Sequence, residues 1–165
     1  MSWTDEELGT LERVPGGVRG RLERVIEHSP DEIWAALTDP TQLPQWLAPG
    51  EIALTPGGAA RLNFIDSGTV IDSVVTAVEA PRLLEYSWSS PGEPDRPVRW
   101  ETTPEGDATR VNLTVTIPEG EDAGRACAGW VAHLEMLAAA LEGAPMKFPF
   151  DRFKAAREVY KARLA

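Results

Sequence analysis

The chain has 165 residues, of which 42% are apolar and 25% are charged, and its formal net charge is −10 at pH 7. This charge argues against binding to nucleic acids or anionic membrane surfaces, because both are polyanions. No apolar run approaches the ~18 residues of a membrane span, and the acidic N-terminal sequence differs from a secretory signal. We therefore expect one cytoplasmic domain without membrane insertion. The single cysteine, Cys127, excludes an internal disulfide and a cysteine-rich zinc site.

The first elements predicted are a loose segment and a β-hairpin. Residues 1–8 are acidic and polar, and Trp3 within them is given no role. Residues 9–14 and 18–28 read as strands, and a Pro-Gly-Gly sequence separates them. A Gly-Gly pair between strand-like runs is a recognised hairpin signal.

Two short helices are predicted directly after this hairpin. Ser29, followed three residues later by Glu32, forms a capping-box pattern, and Pro30 suits the first helical position. Asp39 and Pro40 are expected to end this helix and to cap the next one. The apolar stripes of the two helices are Ile33, Trp34 and Leu37, and Leu43, Trp46 and Leu47.

Six strand-like runs follow, with turns every eight to twelve residues, and this spacing favours antiparallel pairing. The clearest alternation lies in residues 108–117, where apolar and polar side chains alternate without interruption. In residues 69–79 we place Val70, Val74 and Val78 on one face. The other runs are residues 51–54, 60–66, 84–88 and 98–102.

Two helices complete the chain. Residues 122–142 carry an apolar face at helical spacing, and Gly143 is a candidate cap. Residues 150–164 form a second amphipathic helix, for which Asp151 is the expected cap, with a stripe of Phe153, Ala156, Tyr160 and Leu164. Residues 144–165 carry six basic and two acidic side chains. This tail is expected to pack on the acidic body, in the same chain or in a dimer mate; a solvated charged helix is the alternative.

The element order predicts an α+β fold in which the long helix covers the apolar face of a curved antiparallel sheet. The sequences ERVIEHSPDEIWAALTDPTQLPQWLAP, RLLEYSW, ATRVNLTVTI and GWVAHLEMLAAALEG resemble the helix-grip (START-like, SRPBCC) superfamily. Within it they resemble bacterial proteins related to the activator of heat-shock protein 90 ATPase. The resemblance covers residues 9–143 and implies a helix-grip domain with a hydrophobic cavity between helix and sheet. Residues 144–165 lie outside it.

Tryptophan is abundant, with six residues, and most fall on predicted inward faces. Core packing explains each one alone, but together they favour an aromatic-lined pocket. Asp72 or His133 could orient a polar group of a ligand, and Asp66 and Asp72 are expected to point partly inward near the 67–68 turn. The candidate ligand-binding residues are Trp46, Phe64, Asp72, Tyr86, Trp88, Trp100, Trp130, His133 and Leu134.

No catalytic residue, metal ligand or cofactor is predicted, because the two histidines, His28 and His133, lack recognisable partners. The leading hypothesis is a protein that binds a small hydrophobic or aromatic molecule. Two alternatives stay open. One is a protein-interaction or chaperone ATPase-regulating module, with a homodimer or a chaperone as partner. The other is an enzyme like the polyketide cyclases, which would need a buried ionisable group with a shifted pKa.

Overall fold

The computed structural model describes residues 5–65 and 67–165. Its architecture is the α+β helix-grip fold, with eight strands and, along the same described residues, five helices. The strands are β1 (Thr10–Val14), β2 (Gly17–Ile26), β3 (Gly50–Ile52), β4 (Ala59–Phe64), β5 (Thr69–Glu79), β6 (Leu83–Ser87), β7 (Pro97–Glu105) and β8 (Ala108–Pro118). The helices are α1 (Asp5–Leu8), α2 (Pro30–Thr38), α3 (Leu43–Trp46), α4 (Ala123–Leu141) and α5 (Phe150–Leu164). None of these helices is long and apolar enough to cross a membrane.

All eight strands belong to one antiparallel sheet, in the order β1-β2-β8-β7-β6-β5-β4-β3. The six strands predicted after the short helices are present, and the N-terminal hairpin joins them through β2 and β8. Helix α4 lies against the apolar face of this sheet, and α2 and α3 pack beside it. The core therefore occupies the space between the sheet and α4.

The alternation in β8 confirms the strand prediction. Val111, Leu113, Val115 and Ile117 are buried, and the residues between them are partly exposed. Thr109 continues the buried face, and its hydroxyl donates to the His28 carbonyl at 2.7 Å. A strand with one apolar face thus packs that face toward α4, as its period of two requires.

The face assigned to β5 was wrong. Ile71 and Val75 are buried, whereas Val70 and Val74 are each 49% exposed on the outer face. A bulge between Val75 and Ala77 then shifts the alternation, so that Val78 lies opposite the buried Leu84. Three valines at even spacing cannot share a face across such a bulge, because one extra residue reverses the parity of the strand.

The helix boundaries agree with their predicted signals at two of four caps. Ser29 Oγ accepts from Glu32 N at 3.2 Å while the Glu32 carboxylate accepts from Ser29 N at 3.3 Å, which completes the capping box of α2. Asp122, which was not among the four predicted caps, caps α4 by accepting from Arg125 N at 2.9 Å. Helix α4 ends before Gly143, whose φ of 77° suits glycine.

The two other predicted caps differ. Asp39 accepts from the backbone N–H and the hydroxyl of Thr41, at 2.8 and 2.7 Å, and so stabilises the turn before α3 instead of capping it. Helix α3 has no side-chain cap. Asp151 lies inside the first turn of α5, which begins after Pro149. Short polar side chains favour both caps and turns, so sequence alone does not separate these roles.

Helix α5 packs on α4 of the same chain. Ala156 and Tyr160 are fully buried, and the Tyr160 hydroxyl donates to the Leu8 carbonyl at 2.8 Å. Leu8 is itself fully buried, so the end of the N-terminal segment packs against the body. The tail and the N-terminal turn therefore hold each other against the body.

Charge pairs support this docking of the basic tail on the acidic body. Arg152 Nε donates to Glu135 on α4 at 2.8 Å, and Arg157 donates to Asp122 at 2.9 Å. Both pairs are partly exposed, so each contributes on the order of 0–1 kcal/mol. The buried apolar stripe is the larger contribution, and the charges orient the helix on the body.

We predict that Tyr160→Phe lowers the free energy of unfolding by about 1–3 kcal/mol, because it leaves the buried Leu8 carbonyl without its donor. The melting temperature in calorimetry should fall by several degrees. Phe150→Leu, at a residue that is 62% exposed, is the control and should leave the melting temperature nearly unchanged. Equal melting temperatures for Tyr160→Phe and the wild type would contradict the docking described above.

Candidate functional site

Aromatic rings fill the space between the sheet and α4. We call Trp46, Phe64, Tyr86, Trp88, Trp100, Trp130 and His133 the aromatic cluster. Trp100 on β7 contacts Trp46 and Trp130, each at a ring-centroid distance of 5.8 Å. Trp88 contacts Trp130 at 4.8 Å and Phe64 at 5.6 Å. Most of these pairs are T-shaped, the arrangement that aromatic quadrupoles prefer.

The open hollow that we expected here is not what the structure shows. The candidate wall residues contact one another at ring-centroid distances of 4.8 to 5.8 Å. Two open grooves lie elsewhere. One of about 590 Å³ is on the outer face of β2, β6, β7 and β8, and one of about 340 Å³ is beside the β1–β2 turn. Large indole rings can close the gap between a bent sheet and a straight helix, which composition alone does not reveal.

One polar atom in the cluster is unsatisfied. Trp100 is 1% exposed, and its indole N–H has no hydrogen-bond partner among the described residues. The indole N–H of Trp46, by contrast, donates to the Ala36 carbonyl at 2.7 Å. Tyr86 lies near Trp100; burial raises the pKa of Tyr86, and the Trp100 N–H offsets part of that rise without meeting the hydroxyl at hydrogen-bond geometry. An orphaned buried donor is rare in native proteins and requires an explanation.

His133 lies half-buried at the edge of the cluster. Its Nδ1 is 3.0 Å from the Trp46 carbonyl, and since a carbonyl only accepts, Nδ1 carries the proton. Burial lowers the pKa of His133, and the bond to Trp46 opposes part of that shift. The neutral imidazole therefore keeps Nε2 as an acceptor. Its ring contacts Phe64 at 6.0 Å and Trp130 at 5.9 Å.

The remaining predicted residues lie partly in the core and partly on the outer face of the sheet. Leu134 is 1% exposed and belongs to the core face of α4. Asp72 does not join the cluster: it shares the outer face of β5 with Val70, and its carboxylate pairs with Arg61 at 3.2 Å. The expectation that Asp72 points inward was wrong for the same reason of strand parity. Asp66 and Trp3 lie outside the described residues.

The thiol and carboxylate groups do not form an evident catalytic or metal centre. Burial raises the pKa of Cys127 to about 12, so the thiolate that reacts with electrophiles or metals is disfavoured. Within residues 5–65 and 67–165, no three His, Cys, Asp or Glu side chains are placed to hold a metal ion. The site therefore offers aromatic surfaces and two polar groups, the indole N–H of Trp100 and Nε2 of His133.

Sequence reasoning missed Phe148. Its ring contacts His133 at 5.5 Å, Phe150 at 4.9 Å and Phe153 at 5.5 Å. It lies between α4 and α5, in the tail to which no role was assigned. The available signal was the Phe-Pro-Phe sequence at residues 148–150, since exposed loops rarely contain two aromatic side chains so close together.

His28 has a separate role at the end of α4. Its Nδ1 lies 2.9 Å from Glu32 on α2, and its Nε2 lies 3.0 Å from Glu142. The hydrogen bond to Glu32 is the main cause that raises the pKa of His28, and the bond to Glu142 adds to it. The protonated imidazole therefore links α2 to the C-terminal end of α4.

We predict that the two histidines titrate on opposite sides of pH 6.5, His28 above it and His133 below it. His28 stabilises the fold fully below pH 6.5 and loses this contribution as pH rises through its raised pKa. His133 favours the fold above pH 6.5 and loses its contribution as pH falls through its lowered pKa. NMR titration of the imidazole signals, assigned with His28→Asn, measures both; titration of both on one side of 6.5 contradicts the assignment.

Comparison with known proteins now adds a family. The sequence model of the family described as activator of Hsp90 ATPase homolog 1-like protein matches residues 27–142. No curated protein matches the chain. Among solved structures, the protein BPP1335 of Bordetella parapertussis is 29% identical, with a TM-score of 0.74, and the match covers 88% of this chain and 85% of that one.

Two further structures come from named loci or organisms. DynU16, a protein of the dynemicin biosynthetic locus, is 31% identical over 77% of this chain and 48% of its own, with a TM-score of 0.70. CalU16 from Micromonospora echinospora covers 92% of both chains with a TM-score of 0.76. Its identity of 23% makes it a likeness of fold alone.

Proposed function

The chain belongs to the activator of Hsp90 ATPase homolog 1-like family, and we propose that it binds a small, planar, apolar molecule between the sheet and α4. The observation that carries the proposal is the indole N–H of Trp100, which is buried in the aromatic cluster and meets no acceptor at hydrogen-bond geometry among the described residues. Leaving a buried donor unsatisfied costs about 1–3 kcal/mol. A ligand that brings an acceptor to this atom removes that cost.

The walls of the proposed site differ in how firmly they are held. Trp46 and Trp100 are each 1% exposed, and the Trp46 indole is fixed by its bond to Ala36. Phe64 and Trp88 are only partly buried and pack against the core. Partly buried rings lose less packing when they turn. We therefore propose that a bound ligand separates the rings of Phe64 and Trp88 from the core.

The two polar groups of the site limit which ligands can bind there. Trp100 offers a donor, and neutral His133 offers an acceptor at Nε2. The raised pKa of Tyr86 and the lowered pKa of His133 both favour neutral side chains in this region. A charged ligand would lose its hydration without a partner charge. The proposed ligand is therefore an uncharged aromatic ring system with a carbonyl or ether oxygen.

We propose binding rather than catalysis. Among the described residues, the aromatic cluster contains no carboxylate, and its two titratable groups favour the same neutral charge state. General acid–base catalysis uses groups whose pKa values are displaced toward the working pH, or pairs of groups whose pKa values are pushed apart so that one is protonated and the other is not. A neutral aromatic surface can bind an apolar ligand without such acid and base groups.

We predict that 9-fluorenone binds about tenfold more tightly than fluorene, which has the same ring shape without the carbonyl. Satisfying the Trp100 donor accounts for this factor, at about 1–1.5 kcal/mol. In Trp100→Phe, which keeps an aromatic ring and removes the N–H, the affinity ratio should fall to about one. Equilibrium dialysis at micromolar concentration measures both dissociation constants.

The ratio is the readout because Trp100→Phe also changes ring volume, which alters the affinity for both ligands together. Retention of the fluorenone preference in Trp100→Phe contradicts the role of the indole N–H. Failure of both compounds to bind the wild-type protein contradicts this ligand class.

A protein-interaction function is the second candidate, because apolar side chains are exposed on one part of the sheet. Ile65 is 73% exposed, and Val70 and Val74 are each 49% exposed on the outer face of β5. We propose an Hsp90-type chaperone as the partner of this patch. If so, the wild type raises the chaperone ATPase rate, Val70→Asp/Val74→Asp loses the effect, and the control Val25→Asp, at a position 52% exposed on β2, keeps it. An ATPase rate unchanged by the wild type contradicts this function.

A further inference from the structure

We propose that Phe148 is a gate on the aromatic cluster, and that a ligand must displace its ring from His133 to enter. This inference rests on the proposed function, because it describes how access to the same site is regulated. The gate is carried by residues 142–149, which we call the linker and which join α4 to α5. The family match ends at residue 142, so Phe148 lies beyond the matched region.

Both ends of the linker are fixed. At its start, Ala144 N donates to the Ala139 carbonyl at 3.0 Å, and Gly143 takes a φ of 77°. At its end, Phe153 N donates to the Pro149 carbonyl at 3.0 Å, which begins α5. Helix α5 is in turn locked by the buried bond of Tyr160. The linker can therefore move Phe148 without releasing α5 from the body.

Between these anchors, Phe148 is held by ring contacts. Residues 144–149 form neither helix nor strand, and the Phe148 ring is half-buried between His133, Phe150 and Phe153. Side-chain packing of this kind can be exchanged for packing on a ligand of similar shape. The remainder of the fold is unaffected, because Phe148 contributes no strand pairing.

The position of His133 makes this exchange relevant to binding. His133 contacts Phe64 and Trp130 within the cluster, and it also contacts Phe148 of the linker. The neutral imidazole of His133 also offers Nε2 as a hydrogen-bond acceptor. A ligand that approaches His133 from the linker side competes with the Phe148 ring for the same imidazole.

In this proposal, the state in which Phe148 contacts His133 does not admit a ligand. When a binding-competent state is a minor population, the apparent affinity falls in proportion to that population. A substitution that removes the gate ring should therefore raise the association rate. Met146 provides the control, because it is an apolar residue of the same linker two positions away, is 36% exposed and is not among the rings that contact Phe148.

The test is stopped-flow association of fluorenone, followed by tryptophan fluorescence, with the full-length wild type, Phe148→Ala, Phe148→Leu and Met146→Ala. We expect an association rate constant at least threefold higher for Phe148→Ala, an intermediate value for Phe148→Leu and no change for Met146→Ala. Melting temperatures establish that each variant is folded. If Phe148→Ala does not fold, Phe148→Leu takes its place in the comparison.

The outcomes separate the two proposals. If fluorenone binds all variants with equal rate constants, the gate is wrong and ligand binding at the cluster stands. If Met146→Ala accelerates association as much as Phe148→Ala, the effect comes from a loosened linker, and the assignment to Phe148 is wrong. If no variant binds fluorenone, the proposed function fails and the gate fails with it.

Discussion

The contact between Trp100 on β7 and Trp130 on α4 joins the two layers of this protein. Their ring centroids are 5.8 Å apart, and Trp88 and Trp46 extend the same packing to the loop after β6 and to α3. A bent sheet and a straight helix leave a gap that aliphatic side chains would fill poorly. Indole rings lie in this gap, and they bury an N–H group at Trp100 that meets no acceptor at hydrogen-bond geometry in the described part of the chain.

Much of the fold follows from the sequence, because local signals determine it. The alternation of residues 108–117, the capping box at Ser29 and the apolar face of α4 each depend on neighbouring residues, and the structure bears them out. The assignment of β5 failed where a bulge reverses the strand parity. That bulge arises from pairing with β6, which lies outside any local window, and it also moved Asp72 to the outer face.

The site was less accessible to sequence reasoning. Inward positions for the tryptophans follow from strand and helix periods, but whether inward rings line a space or fill it depends on their rotamers and mutual packing. The orphaned Trp100 donor and the contact of Phe148 with His133 join residues that lie far apart in the sequence. The proposals of ligand binding at the aromatic cluster and of a gate at Phe148 rest on these two features.

The central claim is that the buried indole N–H of Trp100 meets a ligand. Two-dimensional ¹H–¹⁵N NMR resolves indole N–H signals and tests this directly during addition of fluorenone. The account predicts a downfield shift of the Trp100 indole proton as it begins to donate, with little change at Trp34, which makes no ring contact with the cluster. An unshifted Trp100 signal at saturating ligand, or shifts confined to tryptophans outside the cluster, would contradict it.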